Sequence, residues 1–318
     1  MGLFRRRKQA APALVADPCL YDPAAARLRA AMQARNWPQV RDFLAQVADP
    51  DDRAFYVDVC ADVPGVQDWI EEWIRAEPHS TLPLLVRGAH GVHWAWEARG
   101  AASASQTSEE QFREFFKRLK MAENCLDEVV ERDPGDVVAW SYLVTSARGR
   151  QVDRDEAERR FRGVVDSCPW HRRTHEQMLQ YVCRKWFGSH EEMFAFARDT
   201  VAKMPDGSVL GELIAVAHIE MWLDLPSGED EEYMRRPEVM AEINAAADRS
   251  VRHPAYRPRP GWPPVHNTFA MAFCLGGDLG SAAQQFQLLG DRVTDWPWQY
   301  LRSDAAGVYQ AWRAKVLG

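Results

Sequence analysis

The sequence predicts an all-α fold, a right-handed solenoid of helix-turn-helix repeats forming one structural unit. Three observations carry this. Pro134, Pro169 and Pro205 stand 35 and 36 residues apart, each after one amphipathic segment and before another, which is the period of a helical repeat. At twelve, eight and four residues before the first two prolines come Ala122, Leu126 and Val130, then Ala157, Phe161 and Val165, with Met193, Ala197 and Val201 as a looser set before Pro205. Small residues let two helices approach and larger ones fill the space between them. Finally, almost every ordered segment carries apolar residues at helical spacing rather than in strand alternation.

Composition fits this class. The 318 residues are 46% hydrophobic and 27% charged, enough to bury a sizeable core as a soluble globular protein. A net charge of -7 argues against nucleic acid as the main partner, since phosphate binding needs clustered Lys and Arg. Six cysteines, none in a CxxC pair, read as reduced thiols of a cytoplasmic protein and offer no zinc ribbon.

Along the chain, residues 1–22 begin "MGLFRRRK" and read as a flexible basic tail. The apolar run after Lys8 is too short for a signal peptide, and Arg6 stands where a myristoylation pattern needs Ser or Thr. No later segment approaches the ~20 apolar residues of a membrane-spanning helix, so no membrane insertion is expected. The repeat domain then occupies 23–318. Within it "GAASASQTS" (100–108) is a loop, 225–237 an acidic surface insertion, 252–264 a Pro- and Arg-rich extended connection, and 265–318 the terminal capping helices. "FGSHEEM" (187–193) is a helix junction: Gly188 ends one helix, Ser189 caps the next, and Glu192 closes a capping box. Asp153 with Glu156 is the same device.

Several of these segments resemble tetratricopeptide repeats: "AENCLDEVVERDPGDVVAWSYL" (122–143), "AERRFRGVVDSCP" (157–169), "GDLGSAAQQF" (277–286) and, in degenerate form, "NWPQVRDFLAQVADP" (36–50). The family's aromatic and Gly positions in the first helix of each unit are mostly missing. "RGAH…WAWEARG" and "KWFGSHEEMFAFAR" are similar to motifs of an uncharacterised bacterial domain family without established activity, over about residues 23 to 250. The tetratricopeptide resemblance implies that the first helix of each unit lines a concave surface.

The candidate site follows from that implication. "RGAHGVHWAWEARG" (87–100) belongs to a helix over about 81–98. Leu85, Ala89, Val92 and Trp96 form its core stripe, while Arg87, His90, His93, Trp94 and Glu97 share another face. Residues 207–224 repeat the pattern, with Leu210, Leu213, Ala217 and Met221 inward and His218 and Trp222 on the opposite flank. Trp140, His175, Tyr181 and Trp186 come from the helices between. The first explanation for His–Trp pairs four residues apart is packing; the sharper one is a groove. His90, His93 and Glu97 also have the spacing of three metal ligands, without an HExxH signature. The basic cluster Arg159, Arg160, Arg162, Arg172, Arg173, Arg184 and Lys185 is interleaved with acids and reads as an ion-paired face, or as a site for an acidic peptide.

No esterase elbow, phosphate loop or dinucleotide fingerprint is present. The reading is therefore a non-enzymatic interaction module with no cofactor, catalytic residue or metal, which binds a peptide or partner protein in its groove. The alternatives are a small-molecule or metal-dependent enzyme built on His90, His93 and Glu97, and a structural subunit of a larger assembly.

Overall fold

The computed structural model describes residues 14–100 and 106–318, and among them it contains sixteen α-helices and no strand. The first four are α1 (Pro23–Gln33), α2 (Trp37–Leu44), α3 (Pro50–Ala61) and the short α4 (Ile70–Ala76). The next six are α5 (Leu82–Arg99), α6 (Glu109–Arg132), α7 (Val137–Arg150), α8 (Arg154–Val165), α9 (Arg172–Tyr181) and α10 (His190–Lys203). Then come α11 (Glu212–Asp224), α12 (Glu229–Met234), α13 (Pro237–Arg249), α14 (Pro263–Gly276), α15 (Leu279–Leu289) and α16 (Ala305–Leu317). None of these helices is long and apolar enough to cross a membrane.

Local chemistry sets the boundaries. Asp22 and Asp49 accept backbone N–H groups at the starts of α1 and α3, each followed by Pro at the first helical position. Ser108 and Gln111 form a complete capping box on α6. The two boxes expected at 153–156 and 189–192 are half made. Asp153 and Ser189 do cap their helices, but Glu156 pairs with Arg159 and Arg160, and Glu192 with Arg154. Gly188 does not end a helix, because α9 has already stopped at Tyr181. Its role is steric, since a Cβ there would sit 2.0 Å from the Val182 carbonyl oxygen.

Helices pack in successive pairs, α5 with α6, α7 with α8, α9 with α10, α11 with α13 and α14 with α15, and the leading helices α5, α7, α9, α11 and α14 each touch the next. Where two helices meet closely, glycine makes room. A Cβ on Gly91 of α5 would lie 2.8 Å from that of Ala122 on α6, so Ala122 is small for the reason its position in the repeat suggested.

Two features depart from an open groove. First, the described part of the expected tail, residues 14–22, is folded. Cys19 is buried, and the Tyr21 hydroxyl donates to the Val293 carbonyl oxygen at 3.0 Å, tying the two ends of the chain together; residues 1–13 lie outside the described residues. Second, α3 packs against three of the leading helices, α5, α7 and α9. The Pro-rich 252–264 segment is not a mere connection either, because Arg259 pairs with Asp49 and Asp52 at the start of α3. Likewise the acidic insertion contains α12, whose Tyr233 and Met234 are buried. The loop at 100–108 falls partly outside the described residues.

The apolar interior divides in two. One core runs from Cys19 to Leu143 and the other from Val144 to Tyr309, with α7 contributing to both. Charged residues collect on the seam between them.

Candidate functional site

The charges of the seam come from α3, α9 and α11. Asp58 interrupts the run "FYVDVCA" on α3. It accepts from Arg173 Nη1 at 2.6 Å, Tyr142 Oη at 2.7 Å and His93 Nε2 at 2.9 Å. Burial alone would raise its carboxyl; Arg173, then His93 and Tyr142, outweigh it and hold Asp58 well below the usual carboxylate range.

One turn along, Arg172 Nε lies 2.7 Å from Glu212 and 2.9 Å from Glu176. Burial and the neighbouring Glu176, against the pull of Arg172, push the fully buried Glu212 up to about 8. Glu220 is enclosed by Lys185 Nζ at 2.6 Å, Gln180 at 2.8 Å and the Tyr300 hydroxyl at 3.2 Å.

Of these groups, Asp58, Arg172, Arg173, Glu176, Gln180 and Tyr300 line a half-open cavity of about 450 Å³. Phe55, Trp262, Val265 and Trp296 give it apolar walls, and Asp58, Arg148, Arg172, Arg173, Glu176 and Arg259 its charged ones. A second cavity of about 360 Å³, lined by His93, Trp96, Glu97 and Thr145, shares Arg148, Arg173 and Gln177 with the first. The interior is thus reached from α3, α5, α7, α9, α11 and α14, the Pro-rich segment and residues 296–300.

Of the sequence-derived candidates, His93 and Glu97 line a cavity. Trp96, expected in the core, is only half-buried and lines it with them, its ring in edge contact with Trp186 at 5.9 Å. The others lie elsewhere. His90 is buried between the Ala61 carbonyl oxygen, 2.8 Å from Nδ1, and the Gln67 amide, 2.7 Å from Nε2, and burial lowers its pKa. Arg87 pairs with Glu71, and Trp94 lies under the Arg118 guanidinium at 3.9 Å. Trp140 donates to the Pro134 carbonyl oxygen, Tyr181 to that of Val152, and His175 to that of His171. His218 is held by Tyr233 at 2.6 Å and Glu242 at 3.2 Å, away from the cavities, and Trp222 packs half-buried against the C-terminal core.

His90, His93 and Glu97 therefore do not converge, and among the described residues no three His, Cys, Asp or Glu side chains are grouped to hold a metal ion. The reason is geometric. A face read from one helix assumes one packed side, whereas every residue of α11 from Glu212 to Glu220 is buried.

The basic cluster is dispersed and paired. Arg159 and Arg160 bind Glu156, Arg184 binds Asp224, and Arg172 and Arg173 belong to the seam.

Sequence reasoning left out Asp58, Arg148, Glu176, Gln177 and Arg259 and the aromatic walls Phe55, Trp262 and Trp296, and it had Arg172 and Arg173 only as members of the basic cluster. Asp58 had a signal, a lone charge within the buried run that ends α3. Comparison with protein-family models, curated proteins and solved structures finds no match.

Proposed function

We propose that the protein is a non-enzymatic binding protein that holds a small organic ligand in the cavity on the seam between its two cores. The observation that carries this is the cavity itself. A half-open cleft of about 450 Å³, walled by aromatic side chains with a few convergent polar groups, has the size and lining of a small-molecule site. The carboxylates on it are mostly engaged by guanidinium groups, which favours recognition over proton transfer. The succession of paired helices supports a tetratricopeptide-like solenoid as the scaffold, with the space that such a repeat leaves open here narrowed by α3 and the 252–264 segment.

A peptide segment of a partner protein is a second reading. It is favoured by the shared lining of the two cavities, which together offer a path longer than either.

The test uses Nile red, a neutral apolar probe, on the whole chain. Its fluorescence should rise on binding, and Val216→Trp, which fills the cavity from α11, should abolish the rise while far-ultraviolet circular dichroism is unchanged. Equal signals from both proteins would remove the cavity as the site.

A further inference from the structure

We infer that Arg148 is the anion-binding residue of this cavity and that the ligand is an amphipathic molecule with a carboxylate or phosphate head and an apolar body. This rests on reading the cavity as a ligand site.

The guanidinium groups around the cavity differ in one respect. Arg172 is neutralised by Glu176 and Glu212, Arg173 by Asp58, and Arg259 by Asp49 and Asp52. Among the described residues no carboxylate pairs with Arg148. It donates from Nη2 to the neutral amide oxygen of Gln177 at 3.0 Å, and its Nε is buried without an acceptor among them.

The surroundings do not supply the missing charge. Trp96 and Trp186 present their rings at 5.5 Å each, and Trp186 Nε1 is a second buried donor with no acceptor. Glu220 acts on Arg148 through space but already serves Lys185, Gln180 and Tyr300. The carbonyl end of α7 eases the positive charge without neutralising it. Burial accordingly draws the Arg148 pKa down to about 10.

A partly buried cation without a counter-ion is under-compensated, and a planar guanidinium is matched to a bidentate oxyanion. Arg148 also lines both cavities, so an anion bound there leaves the apolar walls around Phe55, Trp262 and Trp296 to receive the rest of the ligand. The acids nearby do not occupy this role. Asp58 is taken by Arg173, Asp62 by Arg29, and Glu97 is exposed.

The experiment measures binding of phenylbutyrate, its neutral amide phenylbutyramide and phenyl phosphate by calorimetry, with the wild type, Arg148→Met and Arg148→Lys. The wild type should bind one of the two anions at least about tenfold more tightly than the amide, the equivalent of about 1.4 kcal/mol. Whichever anion wins identifies the head group. Arg148→Met should lose the preference but keep amide binding, and Arg148→Lys should recover part of it. Without ligand, Arg148→Met should melt no lower than the wild type, because a half-buried charge without a counter-ion has gone.

If neither phenylbutyrate nor phenyl phosphate binds the wild type more tightly than the amide, the Arg148 assignment is wrong and the cavity reading survives. Failure of all three probes to bind overturns both. A lower melting temperature for ligand-free Arg148→Met makes Arg148 a packing residue and overturns the assignment alone.

Discussion

Asp58→Asn tests whether the polar seam holds the two cores together. The substitution keeps the shape of the side chain, and its amide oxygen can still face the donors that meet at Oδ1, but it removes the charge opposite Arg173 at 2.6 Å and His93 at 2.9 Å. Removing one member of a buried ion pair costs about 3–5 kcal/mol. The Asp58 side chain remains 34% exposed, and solvent screening reduces the cost to about 2 kcal/mol. At roughly 2–4 °C per kcal/mol for chains of comparable length, the thermal midpoint should fall by about 4–8 °C. Differential scanning calorimetry of Asp58→Asn, Arg173→Met and the double variant reads this directly. The double variant should be less destabilised than the sum of the singles by about 1 kcal/mol or more, because the two groups serve each other. Acidification adds a check of sign. A carboxyl held below its ordinary 3.8 contributes stability above that pH and loses it as pH falls toward its native value, so the gap between variant and wild type should close in acid. A midpoint within about 1 °C of the wild type, or strict additivity in the cycle, would refute the reasoning, since half-buried charge pairs worth nothing have a coupling near zero.

Three further outcomes are expected. His266, donating to Gln285 and accepting from Tyr256, is kept neutral by burial with its pKa near 4; the unfolded chain binds a proton below 6.5, so its contribution to stability should fall by up to about 3 kcal/mol as pH drops between those values, and His266→Gln should lessen the slope of the urea midpoint over that range without abolishing it, because buried His171 titrates in the same window. Glu212 behaves oppositely: with a native value raised to about 8, its contribution is complete below the ordinary 4.5 and is lost as pH rises through 8. Unfolding measured above the His266 window should show this decline in the wild type and not in Glu212→Gln. Gly188→Ala forces a Cβ onto the Val182 backbone, which cannot yield as a flexible side chain would; a loss of about 2–3 kcal/mol is expected by chemical denaturation, and a fully stable variant would contradict the packing at that turn.

Much of the architecture was legible because it is local. Pro134, Pro169 and Pro205 fall between helices, Asp278 caps α15 through the Ser281 amide, and Ala282 and Phe286 are fully buried at their repeat positions. The site was less so, because its contacts join residues far apart in sequence. Asp58 meets Arg173 across 115 positions, and Arg259 meets Asp52 across 207. Periodicity on one helix cannot report a second or third packing surface, which is why His90 and His218, placed on polar faces by phase, are buried hydrogen-bonded side chains. The same blindness hid Arg148: surrounded in sequence by small residues, it reads as an ordinary C-terminal cation of α7 until its neighbours are known.

Helix α7 hands consecutive residues to different cores, Leu143 to one and Val144 to the other. Neither half can melt its own interior without unwinding a helix that the other half needs, so the chain should lose structure in a single cooperative step although its apolar contacts form two groups. A molecule lodged beside Arg148, near the end of that helix, would tighten both halves at once, and slowed amide exchange would then spread from α3 to α14 rather than stay at the point of contact.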